Sequence, residues 1–137
     1  MTPRYGQNIL LAIERRTTRQ KEAIKAVLDE QGGPLLPDDI HRLAIKAVPS
    51  LGIATVYRSL KNLQAEGQVC CVEIPGQAPR YERSDKGHHH HFHCRGCGQV
   101  FDLQKCVTGG LKNLAPPGFE VIDHEIILYG TCKTCSS

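Results

Sequence analysis

The sequence predicts an α+β chain in two parts: a winged helix-turn-helix over residues 1–84, then a small α+β unit stabilised by zinc over 85–137. Three observations carry this expectation. Apolar residues recur at helical spacing through the first half and give way to a two-strand alternation that ends near Tyr81. Two C-x-x-C pairs, Cys94/Cys97 and Cys132/Cys135, stand 35 residues apart, and five histidines occupy six positions, His88 to His93, just ahead of the first pair.

The elements follow in order. A short segment, Asn8 to Glu14, is apolar on one side, and Thr18 offers an N-cap for a second helix, with Glu22 in its first turns. Ile24, Val27 and Leu28 then form an i, i+3, i+4 stripe, stopped by Gly32-Gly33-Pro34. The next helix begins near Pro37, carries Asp38 and Asp39 where the macrodipole favours acids, and ends before Pro49. After Pro49-Ser50-Leu51-Gly52 a further helix places Ile53, Val56, Leu60 and Leu63 toward the core and turns Ala54, Thr55, Tyr57, Arg58 and Lys61 outward, with Gly67 as its C-cap. Val69, Cys71 and Glu73 alternate with Cys70, Val72 and Ile74, a turn falls at Pro75-Gly76-Gln77, and Arg80-Tyr81-Glu82 returns as a hairpin. Beyond the polar hinge Ser84-Asp85-Lys86-Gly87, the sequence predicts a strand at Gln99 to Leu103, a short helix within Lys105 to Leu114 and a last strand from Glu120 to Tyr129 that carries His124.

At 137 residues the chain has room for one ordinary domain or two small ones, and in a small domain a metal cross-link supplements a limited core. No long apolar run and no charged-then-apolar leader is present, so the expectation is a cytoplasmic protein without a membrane partner. The net charge is +3, and the whole excess of Lys and Arg lies before Cys70. That lean toward an anionic partner is mild, so a nucleic-acid role has to rest on shape and motif.

Two C-x-x-C knuckles supply four thiolates, the tetrahedral set of a structural zinc site, and four thiolates leave no open position for a substrate. A redox C-x-x-C would stand alone near a βαβ pattern, and neither pair has that context. Cys70, Cys71 and Cys106 fall outside the pairs. The histidine run is a candidate second metal site; an expression tag would sit at a terminus, whereas this run lies mid-chain. On extended backbone His89, His91 and His93 share one side and His88 and His90 the other. Glu82, Cys70, Asp102 and His124 are the candidate completing groups. On the third of the winged-helix helices, Tyr57, Arg58 and Lys61 offer an aromatic contact, a guanidinium and a phosphate counter-charge to a major groove; the plain alternative is a solvated helix face.

Ala54-Thr55-Val56-Tyr57-Arg58-Ser59-Leu60, Pro79-Arg80-Tyr81-Glu82, His88 to His91, the Cys94/Cys97 knuckle with Gly98, and Tyr129-Gly130-Thr131-Cys132 together resemble the ferric uptake regulator family. The likeness spans nearly the whole chain, in the family's order and spacing. It implies a homodimeric, metal-responsive transcriptional repressor with an N-terminal DNA-binding domain and a C-terminal dimerisation domain. It places Tyr57 and Arg58 on the recognition helix, within a DNA-binding set of Thr55, Tyr57, Arg58 and Lys61. It implies structural zinc at Cys94, Cys97, Cys132 and Cys135, a sensing site with Glu82, His89 and His91, and a further site with His88, His90 and His124, Asp102 serving either.

One departure from the family pattern concerns the metal. Iron and peroxide sensors of the family carry a sensing histidine ahead of the second winged-helix helix, where this chain reads Gly33-Pro34-Leu35-Leu36; His41 lies later and does not match. Cys70 stands where zinc-uptake regulators place a ligand, although their cysteine after the wing is absent from Arg83-Ser84-Asp85. A thiolate beside imidazoles and a carboxylate favours zinc, so the expected regulatory set is Cys70, Glu82, His89 and His91 binding Zn2+, with Fe2+ or Mn2+ as alternatives. The expected function is metal-dependent repression of metal-homeostasis genes from a palindromic operator on double-stranded DNA, with metal fixing the angle between two winged helices. Three rivals remain at this point: an iron- or peroxide-sensing relative, a DNA-binding protein whose only metal is structural, and a zinc-dependent hydrolase, which would need an open metal position and a general base.

Overall fold

A computed structural model of the chain describes residues 3–107 and 110–137. From Asn8 to Glu30 the sequence contains neither Gly nor Pro, and the chain forms one uninterrupted helix, α1 (Pro3–Glu30). The expected break and cap at Thr18 are therefore corrected. Thr17 and Thr18 each cost a helix interior only about 0.7 kcal/mol or less, which burial of Ala23, Ile24, Val27 and Leu28 on the same helix outweighs.

α2 (Pro37–Ala44) opens with Pro37 at its start and Asp38 and Asp39 in its first turn, and it closes five residues before Pro49 as the Val48 N–H returns to the Ala44 carbonyl at 3.0 Å. α3 (Ile53–Ala65) buries Val56, Ser59, Leu60 and Leu63. Ile53, expected in the core, is 38% exposed at the first position of the helix, and Ser59 completes the buried face instead. Past Gly67, at φ +74, the Gln68 N–H reaches back to the Leu63 carbonyl at 2.9 Å and closes α3.

β1 (Val69–Val72) and β2 (Arg80–Arg83) form the antiparallel hairpin, paired from Val69 with Arg83 to Val72 with Arg80. Leu35 adds a bridge to Tyr81 on the other edge. The three helices and Val69 share one apolar core, with Leu35 and Tyr81 packed against it. Helix, helix, helix and wing make this unit, Met1–Gln31 with Leu35–Asp85, a winged helix.

The second unit comprises Gly32–Pro34 and Lys86–Ser137. Its sheet has the order β4-β3-β5, where β3 (His90–Cys94) pairs antiparallel with β4 (Val100–Leu103) and parallel with β5 (Ile127–Gly130). The strand expected over Glu120 to Tyr129 is shorter because β3 offers only His91 to Cys94 for pairing, so His124 lies on irregular chain before β5. The helix expected within Lys105 to Leu114 is reduced to a 3-10 turn at Leu111–Leu114; Thr108 and Gly109 of that stretch lie outside the described residues. A final turn of helix, α4 (Lys133–Ser136), follows Cys132. Among the described residues no helix is long and apolar enough to cross a membrane.

Candidate metal centres

The sheet register builds the cysteine centre. β5 runs parallel to β3 with Gly130 beside Cys94, so the chain leaving β5 delivers Cys132 to the knuckle that leaves β3. The four sulfurs of Cys94, Cys97, Cys132 and Cys135 lie within 4.8 Å of one another, with Cys97 Sγ and Cys132 Sγ 3.9 Å apart. A tetrahedral ion with bonds near 2.3 Å to sulfur sets its ligands about 3.8 Å apart. The thiolate set thus fits zinc in both donor chemistry and spacing.

Backbone amides prepare one of these thiols. The N–H groups of Cys97 (3.4 Å) and Cys132 (3.2 Å) donate to Cys94 Sγ and pull its pKa down to about 6. Cys135 goes the other way, pushed up to about 12 by the neighbouring sulfurs of Cys132 and Cys94. Four sulfurs converging this closely repel one another as thiolates until a divalent cation balances them. Gly96 makes the convergence sterically feasible, because a Cβ there would stand 2.9 Å from Cys135 Sγ and 3.0 Å from Cys135 Cβ.

A second constellation joins the two sides of the β3–β4 ladder. His91 and Asp102 are direct cross-strand partners, and Asp102 Oδ1 lies 3.7 Å from His91 Nε2 and 3.6 Å from His89 Nε2. The His89 ring is oriented by Nδ1, which donates to the Gly87 carbonyl at 2.9 Å and leaves Nε2 on the side of the carboxylate. Asp102 Oδ2 is held by Lys86 Nζ at 2.7 Å, while Oδ1 is fully buried without a hydrogen bond among the described residues. A carboxylate oxygen facing two imidazole nitrogens at this distance gives a cation three donors that converge on one point. Ligand atoms about 2.1 Å from an ion sit roughly 3.0 to 3.4 Å apart, so a small inward movement would close this set on a metal.

On the wing of the first unit, Cys70 and Glu82 are direct partners across β1 and β2 and therefore share one face of the hairpin. Glu82 is buried at 3% exposure, whereas Cys70 is half-buried with its thiol directed at the Arg83 carbonyl 3.9 Å away.

The opposite face of β3 carries the third group. His88 and His90, placed on one side by the alternation, come together with His124, which the resemblance grouped with them, but the fourth member is Cys106. Asp102, expected to serve either set, stands with His89 and His91, because direct pairing with His91 puts it on that strand's other face from His90. Sequence reasoning left Cys106 without a role; its one signal was to be a cysteine outside both knuckles that follows β4 by three residues. His93, grouped by alternation with His89 and His91, is buried at 7% exposure with its ring edge-on to Tyr129.

On α3 the outward residues are as the period requires. Tyr57 is 52% exposed, Arg58 and Lys61 are exposed, and Arg58 Nη2 donates to Thr55 Oγ1 at 3.0 Å, which holds the guanidinium along the helix surface. An exposed aromatic flanked by two cations on the third helix of a winged helix is a fitting surface for a DNA groove.

The comparisons agree with this architecture. A sequence profile described as the ferric uptake regulator family matches residues 13–129. The ferric uptake regulation protein of Campylobacter jejuni is 29% identical over 124 residues, which span 88% of this chain and 79% of that protein. The peroxide operon regulator of Bacillus subtilis is 28% identical over 123 residues, spanning 88% and 84%. Among solved structures, a zinc-bound manganese uptake regulator superposes with a TM-score of 0.74 at 25% identity, covering 82% of this chain and 87% of its own. A winged helix, a sheet unit that gathers four cysteines, and a profile match across most of the chain make this protein a member of the ferric uptake regulator family, whose members are metal-responsive, DNA-binding transcriptional regulators that act as dimers.

Proposed function

We propose that this regulator is a zinc-responsive repressor whose sensing centre is built on His89, His91 and Asp102, with Glu82 and Cys70 as the wing's donors. The observation that carries the reading is the buried Asp102 Oδ1, without a hydrogen bond among the described residues and facing two imidazole nitrogens at 3.6 and 3.7 Å. Cys70, opposed to Glu82 on one face of the hairpin, supplies the soft donor that favours zinc. Metal shared between wing and sheet unit would raise affinity for a palindromic operator, read by Thr55, Tyr57, Arg58 and Lys61 on α3, by a coupling energy on the order of 1 to 3 kcal/mol. Cys94, Cys97, Cys132 and Cys135 hold the structural zinc in this account.

A second reading, iron(II) or peroxide sensing, is favoured by the donors of the sheet unit itself, which are nitrogen and oxygen only at His89, His91 and Asp102. The hydrolase alternative falls with family membership, since these proteins are regulators and not enzymes. Titrating zinc, iron(II) and manganese(II) into protein that keeps its cysteine-bound zinc, while following binding to an operator duplex, separates the two readings. Zinc should act at the lowest free concentration, and Cys70→Ser should remove that preference; an unchanged zinc response in Cys70→Ser contradicts the zinc assignment.

A further inference from the structure

We infer that Lys86 is a positioning residue that sets the metal preference of the centre at His89, His91 and Asp102. By holding one carboxylate oxygen of Asp102, it limits that ligand to a single donor atom and disfavours manganese(II) and iron(II) relative to zinc. The inference rests on the sensing site proposed above and adds to it a residue outside the ligand set.

The geometry divides the carboxylate in two. Asp102 Oδ2 accepts from Lys86 Nζ at 2.7 Å, while Oδ1 faces His89 Nε2 and His91 Nε2 at 3.6 and 3.7 Å. A contact of 2.7 Å lies at the short end for an ammonium and a carboxylate. The pair is also shielded, with side-chain exposures of 19% for Lys86 and 9% for Asp102, so it is not the loose surface ion pair that solvent screens.

The main chain leaves the carboxylate little freedom beyond rotation. Asp102 is paired with His91 across the ladder on one side, and its N–H donates to the Gly32 carbonyl at 2.7 Å on the other. Turning Oδ2 toward the imidazoles therefore means giving up the ammonium. Lys86 and its neighbour Gly87 act on two ligands from adjacent positions, since the Gly87 carbonyl orients the His89 ring through Nδ1 at 2.9 Å.

Coordination number connects this geometry to selectivity. Zinc is satisfied by four donors, one oxygen from a carboxylate among them. Manganese(II) takes octahedral, oxygen-rich surroundings, for which a carboxylate that chelates through both oxygens is the better ligand. An ammonium on Oδ2 withholds that second oxygen. Its positive charge also opposes every divalent cation alike, so the ratio of two metal affinities isolates the positioning effect from the charge.

Lys86→Met provides the test, because it keeps the length of the side chain and removes both the charge and the donor. Full-length protein with its four-cysteine centre filled by zinc, checked by native mass spectrometry, is titrated with zinc, manganese(II) and cobalt(II). Binding at this centre is the part lost in His89→Ala/His91→Ala. The preference for zinc over manganese(II) should fall by roughly 10- to 100-fold in Lys86→Met. Bound cobalt(II) should lose visible absorption intensity as its coordination number rises above four. Lys86→Gln, whose amide ends one bond short of the ammonium, should shift both readings in the same direction. An unchanged zinc-to-manganese ratio in both variants, with binding that still depends on His89 and His91, overturns the inference and leaves the sensing site standing. Binding undiminished in His89→Ala/His91→Ala overturns the sensing site, and the inference with it.

Discussion

Gly96→Ala is the sharpest probe of the cysteine centre. The added methyl would lie 2.9 Å from Cys135 Sγ and 3.0 Å from Cys135 Cβ, both inside van der Waals contact. A free cysteine could turn away, but a sulfur held by metal cannot move without lengthening its bond or shifting the knuckle. Overpacking of this kind typically costs about 1 to 3 kcal/mol. Borne by the zinc-bound state alone, that becomes a loss of roughly 5- to 150-fold in zinc affinity. Competition with a chromogenic chelator measures it, and Gly32→Ala is the control, since a Cβ there meets nothing within 4 Å. If Gly96→Ala holds zinc as tightly as Gly32→Ala, the close approach of the two knuckles is not a requirement of the site and the reasoning fails.

Other outcomes follow from the same coordinates. Leu60→Ala, which empties a position 1% exposed in the winged-helix core, should lower unfolding free energy by about 2 to 5 kcal/mol in urea titrations. Tyr57→Ala, at a position 52% exposed, should leave stability within about 0.5 kcal/mol while weakening operator binding; equal affinity would return Tyr57 to the solvated face. If Arg58 and Lys61 each meet a phosphate, replacing either by Ala should reduce the slope of log affinity against log salt by about 1. Stripping zinc with a strong chelator should abolish hydrogen-exchange protection in β3, β4 and β5 while protection in α1, α2 and α3 persists, because the cysteine centre ties the strand ends of the sheet unit alone.

The residues that sequence reading placed well are those whose positions repeat. Val56, Leu60 and Leu63 recur on one face of α3, and strand alternation alone separated His88 and His90 from His89 and His91. The errors occurred where tertiary context decides. Thr17 and Thr18 suggested a cap, yet the chain had no breaker there and continued as α1. The reach of β5 was set by the length of its partner β3, which the residues of β5 do not encode. Asp102 could be assigned to a face only once its register against His91 was known. Cys106 belongs to no motif and follows the end of β4 on irregular chain, so its meeting with His90 and His124 depends on the path of that chain and not on spacing.

The central claim is that metal held by His89, His91 and Asp102 controls DNA binding. Its most direct test is operator affinity at buffered free zinc for the wild type and for Asp102→Asn, which keeps the side chain's size and removes the charge facing both imidazoles. With the cysteine-bound zinc intact in both proteins, the wild type should gain about 5- to 150-fold in affinity as zinc rises and the variant should show little or no gain. An equal zinc-dependent gain in Asp102→Asn would contradict the account.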